Sequence, residues 1–249
     1  MPKGEALMHD SRRSGGWVRS VLTATAMALT VVAVGSAHHP GVAAAAGSEA
    51  APAAIPQRSV GWVGDSIGWQ SQHDITAQVS QTHRLSSFNS VLGATVDYQT
   101  AATHDVVLGP DSPDILLVEL GTNDATKVEP SQFADDIRRF LDGVTPHVEC
   151  VRWFDLKRGG SPVYQGFNEN AGLYNAVLAD VLEEYPTVRL VDYSTWAQLN
   201  GPAAFDTDGV HLSRRGERQL GEFASRAVDL CETDIATRSE RALTLAERA

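Results

Sequence analysis

The chain has 249 residues, 43% hydrophobic and 20% charged, with a formal net charge of −11. That is enough apolar material for one sizeable core and suits a soluble globular protein of one domain. The acidic excess offers no basic footprint for nucleic acid and makes anionic membrane surfaces poor partners.

Residues 1–46 read as an export signal, outside the fold. Lys3, Arg12, Arg13 and Arg19 form a positive start, residues 21–34 are apolar and uncharged, and small residues follow. Cleavage is expected near 37 or 46. The alternative is an uncleaved anchor, but the apolar run falls short of the roughly 20 residues a span needs. Arg12-Arg13 is followed by Ser14-Gly15-Gly16, which leaves the export route open. Residues 47–57 are rich in Ala, Pro and Ser and read as a linker.

A first strand is expected at 59–63, then a surface helix at 69–82. The core of 84–92 reads as a second strand, and 98–108 as a short helix. Residues 114–120 are a continuous apolar run, the pattern of a strand buried on both faces. A helix starts at Pro130-Ser131 and carries Phe133, Ile137, Phe140 and Leu141 on one face. A fourth strand (148–154), a Gly/Pro-containing loop (156–167), a helix (168–184) and a fifth strand (188–191) follow. Ser213 caps a last helix running to Cys231, and 232–249 read as a charged, frayed tail. Five strands alternating with helices call for an α/β fold, a mainly parallel five-stranded sheet with helices on both faces. The pattern contains no repeat and no second domain.

Cys150 and Cys231 are the only cysteines. In an exported chain such a pair reads as a disulfide, and its spacing suits no four-ligand metal site.

In an open parallel sheet, ligands bind at the carboxyl ends of the strands. Ser66 follows the first strand, Gly93 the second, Asn123 the third, and Asp208 and His211 the fifth. A serine hydroxyl needs a base within hydrogen-bond reach. His211 can supply it, with Asp208 fixing its tautomer from the same turn. The N–H of Ser66, the N–H of Gly93 and the Asn123 amide can serve as donors to an oxyanion. Taken singly, each has a plainer reading: a helix cap for Ser66, a turn for Asp208 and His211, a turn asparagine, a glycine of positive φ. Asp65 and Asp124 read as loop-fixing acceptors. His73, His83, His104 and His147 read as solvated. Trp69, Trp153, Tyr164 and Trp196 are candidates for a pocket wall or for packing.

Gly64-Asp65-Ser66-Ile67, Gly93 within 89–95, Gly121-Thr122-Asn123-Asp124 and Asp208-Gly209-Val210-His211 together resemble the four marks of the SGNH hydrolases, the GDSL-type serine esterase superfamily. The resemblance runs from about 59 to 231 and places the domain at 58–231. It implies a three-layer α/β/α flavodoxin-like fold, no cofactor, Ser66 as nucleophile, His211 as base, Asp208 as its orienting acid, and Ser66, Gly93 and Asn123 as oxyanion hole. The Ile67 position departs from the commonest leucine. Gly64-Asp65-Ser66-Ile67-Gly68 also fits G-x-S-x-G, the nucleophile elbow of α/β-hydrolases. That elbow usually follows several strands; here only one precedes it.

The expectation is therefore a secreted or wall-associated serine esterase. Its substrate is a small-molecule, lipid or glycan ester. An acyltransferase with the same triad and a non-catalytic carbohydrate-binding wall protein are the alternatives. Loops 156–167 and 194–207 decide the substrate, and their sequence does not disclose pocket shape.

Overall fold

The computed structural model describes residues 57–247. The expected signal, 1–46, and the linker up to its last residue lie outside them. Five strands, β1 (Ser59–Gly64), β2 (Arg84–Ser90), β3 (Ile115–Glu119), β4 (Cys150–Phe154) and β5 (Val188–Val191), form one sheet in the order β2-β1-β3-β4-β5. Every neighbouring pair is parallel. This is the flavodoxin-like strand order, in which the chain reverses its direction of travel across the sheet between β1 and β3. Gly64 pairs with Ser90 on one side and Glu119 on the other. The carboxyl ends of three strands thus finish in one row, where the crevice opens.

Helices α1 (Ser66–Val79) and α7 (Arg214–Ala246) pack together on one face. On the other, α4 (Pro130–Val144) lies between α2 (Val96–Leu108) and α5 (Gln165–Leu182). The strands are apolar where a doubly covered sheet must be: β1, β3 and β4 are buried along their whole length. Trp62, Phe133, Phe140, Trp153 and Phe154 fill the space between layers. The amphipathic run at 130–144 buries Phe133, Ile137, Phe140, Leu141 and Val144, the i, i+4, i+7 stripe its sequence carries.

Several elements differ from the sequence reading; α5 begins at Gln165 instead of 168, and a single helical turn at 124–127 was not expected. Helix α1 starts at Ser66, three residues earlier than expected, because Asp65 caps it by accepting from Ile67 N at 2.9 Å. The loop after β5 contains α6 (Tyr193–Asn200), capped by Asp192, and a 3-10 turn at Pro202–Ala204. Tyr193 and Trp196 stack at 5.0 Å and anchor this segment. Finally, α7 does not fray at Cys231. Ile235 is buried, Asp234 pairs with the buried Arg152 of β4 at 2.8 Å, and Arg238 donates to Glu149 O at 2.7 Å, so the helix has reasons to continue across the sheet. Among the described residues no helix is long and apolar enough to cross a membrane.

Cys150 of β4 and Cys231 of α7 are joined by a disulfide, with Cα atoms 5.8 Å apart and a sequence separation of 81. Both are fully buried. A crosslink closing a loop of this length restricts the unfolded chain by about 4 kcal/mol. Cys150→Ala/Cys231→Ala should lower Tm by roughly 10 °C, at about 2–4 °C per kcal/mol for a chain of this size. An unchanged Tm in a calorimetric scan would remove the disulfide from the account of stability.

Candidate active site

Ser66 is the first residue of α1, directly past the end of β1. The plain cap reading of this serine does not describe it: Asp65 is the cap, and Ser66 Oγ is left to face His211. No described non-glycine residue has a positive φ, so Ser66 is not held in the strained turn of a nucleophile elbow. As the first helical residue, its N–H has no intrahelical acceptor and makes no other bond among the described residues.

His211 Nε2 lies 2.9 Å from Ser66 Oγ, and His211 Nδ1 lies 2.5 Å from Asp208 Oδ2. The residues are 145 positions apart in the first case and three in the second. The Asp208–His211 turn is built to hold this pose. Asp208 Oδ1 accepts from the N–H groups of Val210 (2.9 Å) and His211 (3.0 Å). Asp206 N donates to His211 O at 2.8 Å, closing the loop. Ser161 Oγ donates to Asp208 O at 2.7 Å and ties the turn to the loop after β4. Gly209, at φ +70°, passes so near Gly160 that a Cβ would sit 2.3 Å from its carbonyl oxygen; no other residue fits. Burial pushes the Asp208 carboxyl upward, but its bonds from the His211 ring and the two N–H groups outweigh this and hold it below the usual carboxylate range. At neutral pH it is therefore an anion, the form that can orient an imidazole and stabilise its cation.

Asn123 follows β3 and begins the single turn α3 (Asp124–Lys127). Its Nδ2 donates to Asp65 Oδ2 at 2.9 Å, leaving one amide N–H uncommitted. Gly93, at φ +73°, occupies the third position of a turn closed by Ala94 N donating to Val91 O at 3.1 Å, a place that favours glycine. Its N–H makes no bond among the described residues, and its carbonyl accepts from Lys127 Nζ at 2.8 Å. Lys127 also reaches Asn123 Oδ1 at 3.3 Å. Ser66, Asp208, His211 and Asn123 therefore meet at one rim of the sheet, with Gly93 joined to the group through Lys127.

Two carboxyls lie beneath the rim. Glu119 Oε2 accepts from Gly68 N at 3.0 Å and Asp65 N at 3.3 Å. Burial, then the neighbouring Asp65 charge, raises the Glu119 pKa well above the carboxylate range; burial also raises Asp65. Burial raises Asp124, which accepts from Val96 N, to about 7, and Asp155, which accepts from Ser194 N, to about 6.

These raised values set the pH dependence of stability. A carboxyl whose folded pKa exceeds its unfolded value stabilises the fold fully below the unfolded value, near 3.8, and loses that contribution as pH rises through about 6 to 7. Asp208 and Asp234 act oppositely, since their folded values are lowered. From these groups Tm should be highest near about pH 4 and fall toward pH 8, and the fall should persist in high salt, where surface repulsion is screened. A Tm that is flat or rises from about pH 5 to pH 8 would contradict the burial of these groups.

A cavity of about 170 Å³ opens beside Ser66 and His211, walled by Thr122, Asn123, Thr126, Lys127, Tyr164, Phe167 and Val210. Of the aromatic residues expected at a pocket wall, Tyr164 is there; Trp153 and Trp196 are core, and Trp69 is half-exposed elsewhere. His83 and His104 are not free in solvent: one contacts Glu232 at 3.2 Å, the other Phe140 O at 3.1 Å. Among the described residues no cluster of His, Cys, Asp and Glu could hold a metal ion. Lys127 and Glu119 were not singled out from sequence. A lone glutamate within an apolar strand was the available signal for Glu119, whereas an exposed lysine four residues after Asn123 offered none.

The pattern that defines the GDSL-like Lipase/Acylhydrolase family matches residues 59–219. The chain belongs to that family and is an ester-acting serine hydrolase of the GDSL type. Similar solved structures include the C-terminal catalytic domain of Streptococcus pneumoniae peptidoglycan O-acetyltransferase A (12% identity, TM-score 0.55, covering 73% of this chain and 96% of that one). A catalytic mutant of the acetylxylan esterase Axe2 from Geobacillus stearothermophilus aligns at 17% identity and TM-score 0.55, over 69% of this chain and 94% of that one. A GDSL-like lipase from Bacteroides thetaiotaomicron aligns at 15% identity and TM-score 0.56, over 69% and 88%. At these identities the likeness is one of fold. No curated protein matches the chain.

Proposed function

We propose that this is an exported serine esterase that cleaves short-chain carboxylic esters through an acyl-serine intermediate. The observation that carries the reading is the continuous path from Ser66 Oγ to His211 Nε2 at 2.9 Å and from His211 Nδ1 to Asp208 at 2.5 Å. His211 takes the Ser66 proton as Oγ attacks the ester carbonyl. The imidazolium formed is stabilised by the Asp208 anion and then protonates the leaving alcohol. Water, deprotonated by the same ring, attacks the acyl-serine and returns Ser66. The developing oxyanion is received by the Ser66 N–H, the Gly93 N–H and the free N–H of Asn123.

The cavity beside Ser66 supports a short acyl group. At about 170 Å³ it is smaller than the roughly 300–1,000 Å³ of sites for drug-sized ligands. The positive, apolar and small-residue segments of 1–46 and the Cys150–Cys231 disulfide support export.

A series of p-nitrophenyl esters from acetate to decanoate, run beside acetylated xylan, tests the reading. Acetate or propionate should turn over fastest, with free acid as the product even when a sugar acceptor is present. Preference for the long esters would refute the short acyl site. Acyl groups recovered mainly on the acceptor would make the enzyme a transferase.

A further inference from the structure

We propose that Lys127 is a positioning residue for the oxyanion-binding groups, fixing the Asn123 amide in one orientation and tethering Gly93 to it. The inference rests on the esterase reading above and concerns how two of its three donors are held.

A side-chain amide can turn over about its last bond, exchanging its donor and acceptor ends. Asn123 sits at a helix start, where an asparagine ordinarily caps its own helix, yet its side chain makes no cap bond. Its two ends are taken by groups of opposite kind. Nδ2 donates to Asp65 Oδ2 at 2.9 Å, and Oδ1 accepts from Lys127 Nζ at 3.3 Å. A carboxylate only accepts and an ammonium only donates. The reversed amide would set its oxygen against the carboxylate and its hydrogens against the ammonium, so both contacts oppose the flip.

The two ends of the clamp differ in firmness. Asp65 is fully buried, held by Ile67 N at 2.9 Å and backed by Glu119. Lys127 is exposed and stands one turn from Asn123 on α3, the i, i+4 spacing that brings side chains together. Its second bond, to Gly93 O at 2.8 Å, crosses from the loop after β3 to the loop after β2. One ammonium thereby joins the two loops that supply Asn123 and Gly93. The donors are fixed before charge develops, which is the condition under which an oxyanion site is most effective.

Lys127→Met keeps the stem and removes the ammonium, on a surface position where folding is not at stake. With p-nitrophenyl acetate, kcat should fall roughly tenfold, a fraction of the 10²–10³ attached to a whole donor, while KM stays within about twofold. Lys127→Arg, which can still donate to both carbonyls, should recover most of the rate. In an Asn123→Ala background the same Lys127→Met change should cost less than about threefold, because the amide it orients is gone and only the Gly93 tether remains to be lost. An equal loss in both backgrounds, a raised KM with kcat intact, or no loss at all while Asn123→Ala retains its full effect would overturn the proposal and leave the esterase reading standing. Full turnover in Asn123→Ala alone would overturn the proposal by removing Asn123 from the oxyanion site, whereas absence of ester turnover by the unaltered protein would overturn the esterase reading.

Discussion

Ser66→Ala should lower kcat for ester hydrolysis by roughly 10⁴–10⁶, and His211→Ala by a comparable factor, with the double variant no worse than either alone. In the proposed mechanism the two side chains act as one device. Ser66 Oγ is a poor nucleophile without a base, and His211 has nothing to deprotonate without the hydroxyl. Their separation of 2.9 Å already satisfies the geometric demand. Some activity above water should persist, because the N–H groups of Ser66 and Gly93 and the Asn123 amide remain to bind the oxyanion of a water attack. Strict additivity of the two losses, measured as kcat at saturating ester, would mean that the groups work independently and that the hydrogen bond between them is incidental. Alanine at 66 leaves the Asp65 cap and its bond to Ile67 untouched, so the loss should come without a fall in Tm.

Asn123→Ala should cost roughly 10²–10³ in kcat with little change in KM. As a proposed oxyanion donor, its free N–H contributes to the transition state, where the carbonyl oxygen carries charge, far more than to the ground-state ester. The substitution has a second consequence. It leaves Asp65 Oδ2, which is buried, without its donor. An unsatisfied buried carboxylate costs stability, so a modest drop in Tm should accompany the loss of rate. A variant that loses binding instead, with KM raised and kcat intact, would place Asn123 in substrate contact rather than at the oxyanion.

Much of this arrangement is written in local sequence. The apolar run at 114–120 has the pattern of a buried strand, and the stripe from Phe133 to Leu141 that of one buried helix face. The four polar clusters were legible because each ends an apolar run, and a parallel sheet delivers all such ends to one edge. Other features depend on contacts between distant residues. Whether Ser66 caps α1 or leaves that task to Asp65 follows from where the His211 loop lies. Glu119 looks like one residue of a strand until the register sets it opposite Gly64, beneath the serine turn. The end of α7 was misplaced at the cysteine because 232–246 is highly charged; Arg152, the buried partner that holds Asp234, lies 82 residues away. The α6 helix was hidden for a related reason: its short apolar face is completed by Phe205 and Phe223 from other segments.

The central claim is that the imidazole of His211 makes one hydroxyl, that of Ser66, reactive among all those in the chain. Treatment with a fluorophosphonate, followed by mass mapping of the peptides, tests it directly. A single adduct on Ser66 is expected, formed far more slowly in His211→Ala. An unlabelled protein, or an adduct on another residue at the wild-type rate, would contradict it.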